Sequence, residues 1–154
     1  MGAEASYGTQ VEVLGGLLEA FGDAAVVLSY KEDRTFAALS LNRFGAVGSC
    51  RLDWRGAEVL RSSPAFDGGE LRKMLCELAG PDELVVLFWG NLMVPSVAVE
   101  AGLVAAHADV VLAGCYECWV YLVDSGVLIE FQDGEGFTVG RVPQTAFEIS
   151  LVDA

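Results

Sequence analysis

Apolar residues recur at helical spacing over Thr9 to Phe21, where Val11, Leu14, Leu18 and Phe21 share one face and Gly22-Asp23 stops the run. Ala24 to Tyr30 and Thr35 to Leu41 flank the polar turn Lys31-Glu32-Asp33-Arg34, a pattern that predicts a β-hairpin. Phe44 to Trp54 predicts a strand interrupted at Gly45 and Gly48, with Ala57 to Arg61 continuing the sheet. A helix is predicted over Asp67 to Leu78: Asp67 suits the N-cap, and Glu70 stands three residues on. Leu71, Met74, Leu75 and Leu78 form its apolar stripe, and Gly80-Pro81 ends it.

The second half begins with Leu84 to Trp89, an apolar run that fits a buried strand, followed by a turn at Gly90-Asn91. Pro95 suits the first turn of a helix running to about His107, and Ala108 to Leu112 reads as a short strand. Glu117 to Val123 alternates, with Trp119 and Tyr121 on one face and Val120 and Leu122 on the other. Turns at Asp124-Ser125-Gly126 and Asp133-Gly134 separate it from strands at Val127 to Phe131 and Phe137 to Val142. The tail from Pro143, with Phe147, Ile149 and Leu151, resembles one last strand. The expected architecture is a single α+β domain over residues 1–154, an antiparallel sheet with roughly three helices packed against it.

Composition supports a real core: 53% of the 154 residues are apolar, and the mean hydropathy is +0.45. Charge changes the picture more. There are 22 acids against 9 bases, a formal net charge of −13. Residues 78–154 hold 11 acids and one base, Arg141, whereas residues 1–77 hold 11 acids and 8 bases. Such a balance repels nucleic acid and anionic membrane and attracts basic partners. It also serves solubility. Leu84 to Val99 is uncharged but too short to span a bilayer. Met1 to Gln10 lacks a charged segment followed by an apolar run, so the expected setting is cytoplasmic, with Cys50, Cys76, Cys115 and Cys118 reduced.

Candidate chemistry is sparse. Cys115-x-x-Cys118 has the spacing of half a zinc site, without a second pair to complete it. His107 is the single histidine, so any Cys–His or Ser–His scheme must use it. Glu130 lies in the apolar run Val127-Leu128-Ile129-Glu130-Phe131, facing opposite to Ile129 and Phe131. A small enzyme built on Glu130, His107 or Cys118 is therefore the alternative reading, and an oligomeric scaffold a third. No cofactor is expected. The mixture of aromatics and acids in the second half favours protein recognition. The expected contacts are Asp109, Glu117, Asp124, Asp133 and Glu135, with Trp119 as an anchor.

Residues 84–142 carry a resemblance. A strand ends Phe88-Trp89-Gly90, then comes Val94-Pro95-Ser96, then Glu117-Cys118-Trp119-Val120-Tyr121 and Leu128-Ile129-Glu130-Phe131, with Gly134 and Gly140 on the closing hairpin. This stretch resembles small bacterial immunity proteins of contact-dependent growth inhibition systems. The resemblance implies a cytoplasmic protein that is not an enzyme. It would bind the toxic C-terminal domain of a cognate effector, often a nuclease, and block its active site or a neighbouring surface. A nuclease presents cationic groups to phosphate, so an acidic surface is its physical complement.

Overall fold

The computed structural model describes residues 6–47, 51–65, 67–89, 92–113, 117–132 and 134–143. After a 3₁₀ turn the chain runs through α1 (Gly15–Phe21), β1 (Val26–Val27), α2 (Tyr30–Leu39), β2 (Gly45–Val47), β3 (Arg51–Asp53) and β4 (Val59–Ser63). It continues through α3 (Gly68–Leu78), β5 (Leu84–Trp89), β6 (Val97–Glu100), α4 (Ala101–Ala106) and α5 (Ala108–Ala113). Three long strands follow: β7 (Glu117–Leu122), β8 (Val127–Gln132) and β9 (Gly136–Arg141). Seven strands form one antiparallel sheet in the order β1-β6-β5-β7-β8-β9-β4, and β2 and β3 pair separately. The protein is of the α+β class, with five α-helices among the described residues rather than three.

Register assigns each side chain to a layer. Val85 pairs with Leu122, Val120 with Ile129, and Ile129 with Val139; these residues face α1, α3, α4 and α5. Their neighbours Val86, Phe88, Trp119, Tyr121 and Leu128 face the other way, under Phe36 and Ala37 of α2 and Phe44, Leu52 and Trp54 of the β2–β3 region. Both faces of the central strands are thus covered. That is why β5 reads as an unbroken apolar run rather than an alternating one.

Four segments differ from their sequence pattern. Of the hairpin expected over 24–41 only Val26–Val27 is a strand, and Tyr30–Leu39 is the helix α2. Ser29 caps it: its Oγ accepts from Glu32 N at 3.1 Å, and Ser29 N donates to Glu32 Oε1 at 2.9 Å. That reciprocal box satisfies two otherwise unpaired amides. The bond from Ser29 also holds the Glu32 carboxyl below its ordinary pKa. Asp33, Ala37 and Ser40 are buried at helical spacing. The helix expected from Pro95 begins only at Ala101, because Val97–Glu100 pairs with both β1 and β5. The strand expected at 108–112 is α5, whose Ala108, Val111 and Leu112 are buried at i, i+3 and i+4. The single strand expected over 44–54 is divided between β2 and β3. The Gly90-Asn91 turn, Cys50, Cys115, Asp133 and the tail from residue 144 lie outside the described residues.

Both sheet edges are blunted. β1 is two residues long, and β4 carries a register irregularity between Val59 and Arg61 and ends at Pro64. Short or bulged edges resist strand addition. No helix among the described residues is long and apolar enough to cross a membrane.

Candidate functional site

Among the described residues three carboxylates are buried, and each ties down a distant segment. Glu130, on β8, is 5% exposed. Its Oε2 accepts from Trp119 Nε1 at 2.9 Å and Leu52 N at 2.8 Å, and its Oε1 accepts from Trp54 Nε1 at 2.9 Å. Glu83 accepts from Ser125 N at 2.7 Å and Ser125 Oγ at 2.8 Å, locking the turn between β7 and β8. Asp33 accepts from Ser96 Oγ and pairs with Arg34 at 2.6 Å. Tyr7 extends this last network, donating to Leu28 O at 2.8 Å and accepting from Ser96 N at 3.0 Å. Carboxylates so fully bonded act as structural clamps.

The residues of the enzymatic alternative do not converge. Cys118 and Glu130 face opposite sides of the sheet: Cys118 lies in the core under the helices, and Glu130 bonds the tryptophans of the other layer. His107 caps the end of α4, donating its amide to Leu103 O at 3.0 Å, with its ring edge-on to Phe21 at 5.7 Å. Among the described residues no group of three or more His, Cys, Asp or Glu is arranged to hold a metal.

The expected contact residues are separated as well. Asp109 is exposed on the first turn of α5. Glu117 opens β7 opposite Gln132, while Asp124 sits in the turn at the other end of that strand. Six residues of strand set those two ends about 17 Å apart. Glu135 is ion-paired with Arg51. Asp133 lies outside the described residues. Trp119, expected as an anchor, is 6% exposed and bonded to Glu130, so its ring is part of the interior.

A different grouping emerges from the fold. Residues 1–30 and 74–140 contain 14 acids and no lysine or arginine. The structure brings these two stretches together: α1 packs with α5, and α4 and α5 lie on the sheet formed by β5 to β8. Glu12, Glu19, Asp82, Glu100, Asp109 and Asp124, all from these stretches, are each exposed. In the intervening segment most acids are consumed locally. Asp53 pairs with Arg55 at 2.8 Å, which holds its pKa down at about 2. Asp67 caps α3, accepting from Glu70 N at 2.9 Å. Cations also reach the helical layer: Arg72 and Lys73 are exposed on α3, Arg72 donating to Ala105 O at 2.8 Å, and Arg61 of β4 reaches Glu77. Dividing the chain at its midpoint hides this grouping, because residues 1–77 mix a base-free stretch with a basic one. The absence of Lys and Arg from 1–30 was the signal for Glu12 and Glu19.

Beside this surface, α1 and α5 enclose an apolar cleft of about 220 Å³, lined by Val13, Leu14, Gly16, Leu17, Trp89, Val110, Val111 and Ala113. A second cleft of about 270 Å³ lies on the opposite face, beside β4 and β9. Its lining is polar, with Arg51, Ser62, Ser63, Gln132, Glu135 and Thr138 around Glu130.

Two phenols, Tyr121 buried and Tyr7 partly buried, make the alkaline limit of the fold predictable. Burial pushes Tyr7 above its ordinary pKa of 10.0 against the bond from Ser96, and burial likewise raises Tyr121. The unfolded chain therefore ionises these groups first. Their contribution to stability is complete below pH 10 and is lost as pH climbs through the raised values. Tyr7 and Tyr121 are expected to titrate above the ordinary tyrosine value by ultraviolet difference absorbance. The double variant Tyr7→Phe/Tyr121→Phe is expected to flatten the alkaline fall in stability; an unchanged profile refutes the assignment.

No family model matches this chain, and no curated protein matches it either.

Proposed function

We propose that this chain acts by binding rather than by catalysis, and that it captures and neutralises a basic protein domain. The resemblance of residues 84–142 to immunity proteins of contact-dependent growth inhibition makes a bacterial toxin domain, such as a nuclease, the best candidate partner. One observation carries the reading: Glu12, Glu19, Asp82, Glu100, Asp109 and Asp124 are all exposed and all belong to the two base-free stretches. Acids on neighbouring elements with no basic residue of their own sum to a directed negative field. Such a field draws a cationic surface into encounter and keeps anionic competitors away. A nuclease cannot discard its phosphate-binding cations, so an acidic cover would occupy the groups it needs for its substrate. The separation of Glu130, His107 and Cys118 also favours binding over the enzymatic alternative.

The test is calorimetric titration against the protein encoded immediately upstream. The expected result is a complex at micromolar concentration or tighter. Association should slow as salt rises, and Glu12→Gln/Glu19→Gln/Asp109→Asn should slow it by about 10-fold at low salt. Absence of any complex at micromolar concentration overturns the reading.

A further inference from the structure

We propose that the cleft between α1 and α5 receives an apolar side chain from a cationic amphipathic helix of the partner. The proposal rests on the binding function above and names the surface that would do it. The cleft is open and apolar on both walls. Val13 on one side is 48% exposed and Val110 on the other 37%, and Leu14, Leu17, Trp89 and Val111 form its floor and sides. The apolar character continues outside it. Val11 is 42% exposed, and Leu92 and Met93 are exposed on a loop tied to the chain entering α1, with Gln10 N donating to Met93 O at 2.7 Å. A Cβ added at Gly16 would meet nothing within 4 Å, so the α1 wall leaves room for an approaching backbone.

Charge selects the occupant. Glu12 stands in the 3₁₀ turn before α1, Glu19 on α1, and Asp109 on α5, where its carboxylate lies against Gly68 of α3; all three are exposed. No lysine or arginine occurs in residues 1–30 or 84–122, which supply every wall of the cleft. An apolar cleft on elements that carry acids and no bases matches a helix that carries leucine-like residues on one face and Lys or Arg beside them. A second copy of this chain would bring a net charge of −13 against the same acids. An anionic lipid surface would be repelled likewise.

The probe is a synthetic peptide of leucine and lysine patterned as an amphipathic helix, with a lysine–serine peptide of equal charge as its comparison. Titration followed by tryptophan fluorescence is expected to show the leucine-bearing peptide binding the full chain, and the comparison at least 10-fold more weakly. Val13→Ser/Val110→Ser changes only exposed positions and is expected to weaken binding at least 10-fold at unchanged net charge. Gly16→Arg, whose side chain enters open space, is a second variant that places a cation at the mouth and should weaken it similarly; circular dichroism confirms that each variant is folded. Equal affinity for both peptides, no binding of the leucine-bearing peptide, or wild-type affinity in a folded variant overturns the cleft. Tight binding of the upstream-encoded protein by those same variants would sink the cleft and leave the binding function standing. No complex between that protein and the wild type would remove the function itself.

Discussion

Glu130→Ala is expected to lower the stability of the fold by about 3–5 kcal/mol, the range for removing one partner of a buried charged network. The carboxylate accepts three N–H groups from two separate segments. Truncation leaves the Trp119 indole buried with no acceptor and removes the two bonds that hold Leu52 and Trp54 over the sheet. Phe44 meets Trp54 edge-to-face with ring centroids 4.8 Å apart, so loosening Trp54 loosens the β2–β3 layer. Urea denaturation followed by tryptophan fluorescence checks the magnitude. Amide exchange should quicken first in 51–54. Glu130→Gln keeps one acceptor oxygen but turns an NH₂ toward a donor, and is expected to cost less, about 1–3 kcal/mol. A loss below about 1 kcal/mol for Glu130→Ala would show that the carboxylate does not clamp the hairpin.

Gly136→Ala is expected to cost roughly 2–5 kcal/mol, from backbone strain together with overpacking. Gly136 opens β9 at a φ of +106°, where a side chain is strained. An added Cβ would also overlap Ser63 O and lie 2.9 Å from Pro64 Cα. Both obstacles are backbone, so neither can rotate away. The damage should be local, because Ser63 pairs with Phe137 in the β4–β9 ladder. Hydrogen exchange is expected to show β4 released while β5 and β7 keep their protection. Gly134 supplies the contrast. Its φ is +81°, but an added Cβ would meet nothing within 4 Å, so Gly134→Ala should cost only about 1 kcal/mol of strain. Equal losses at the two glycines would refute the steric account.

What could be read in advance, and what could not, follows from the range of the forces involved. α3 was legible because its cap, Asp67, and its stripe, Leu71, Met74 and Leu75, lie within a dozen residues of one another. β7, β8 and the Asp124–Gly126 turn were legible for the same reason. α2 was legible in principle. Ser29-x-x-Glu32 is a capping-box signature, yet the polar run at 31–34 looks like a turn when the cap is overlooked. β6 was not legible: Val97, Ala98 and Val99 follow a proline that suits a helix start, and only pairing with β5 on one side and β1 on the other makes them a strand.

The candidate surface divides in the same way. The sequence by itself determined a strongly acidic α+β protein, the alternation that sets Trp119 opposite Val120, and the two long stretches without a basic residue. Only the tertiary structure decided that Glu130 is an interior clamp, that Trp119 is its donor rather than an exposed anchor, and that α1 packs with α5 around an apolar cleft. Helix caps, turns and periodicity are settled by neighbours a few residues away. The burial of Glu130 depends on Trp54, 76 residues distant, and a field summed over separate elements exists only once the chain has brought those elements together.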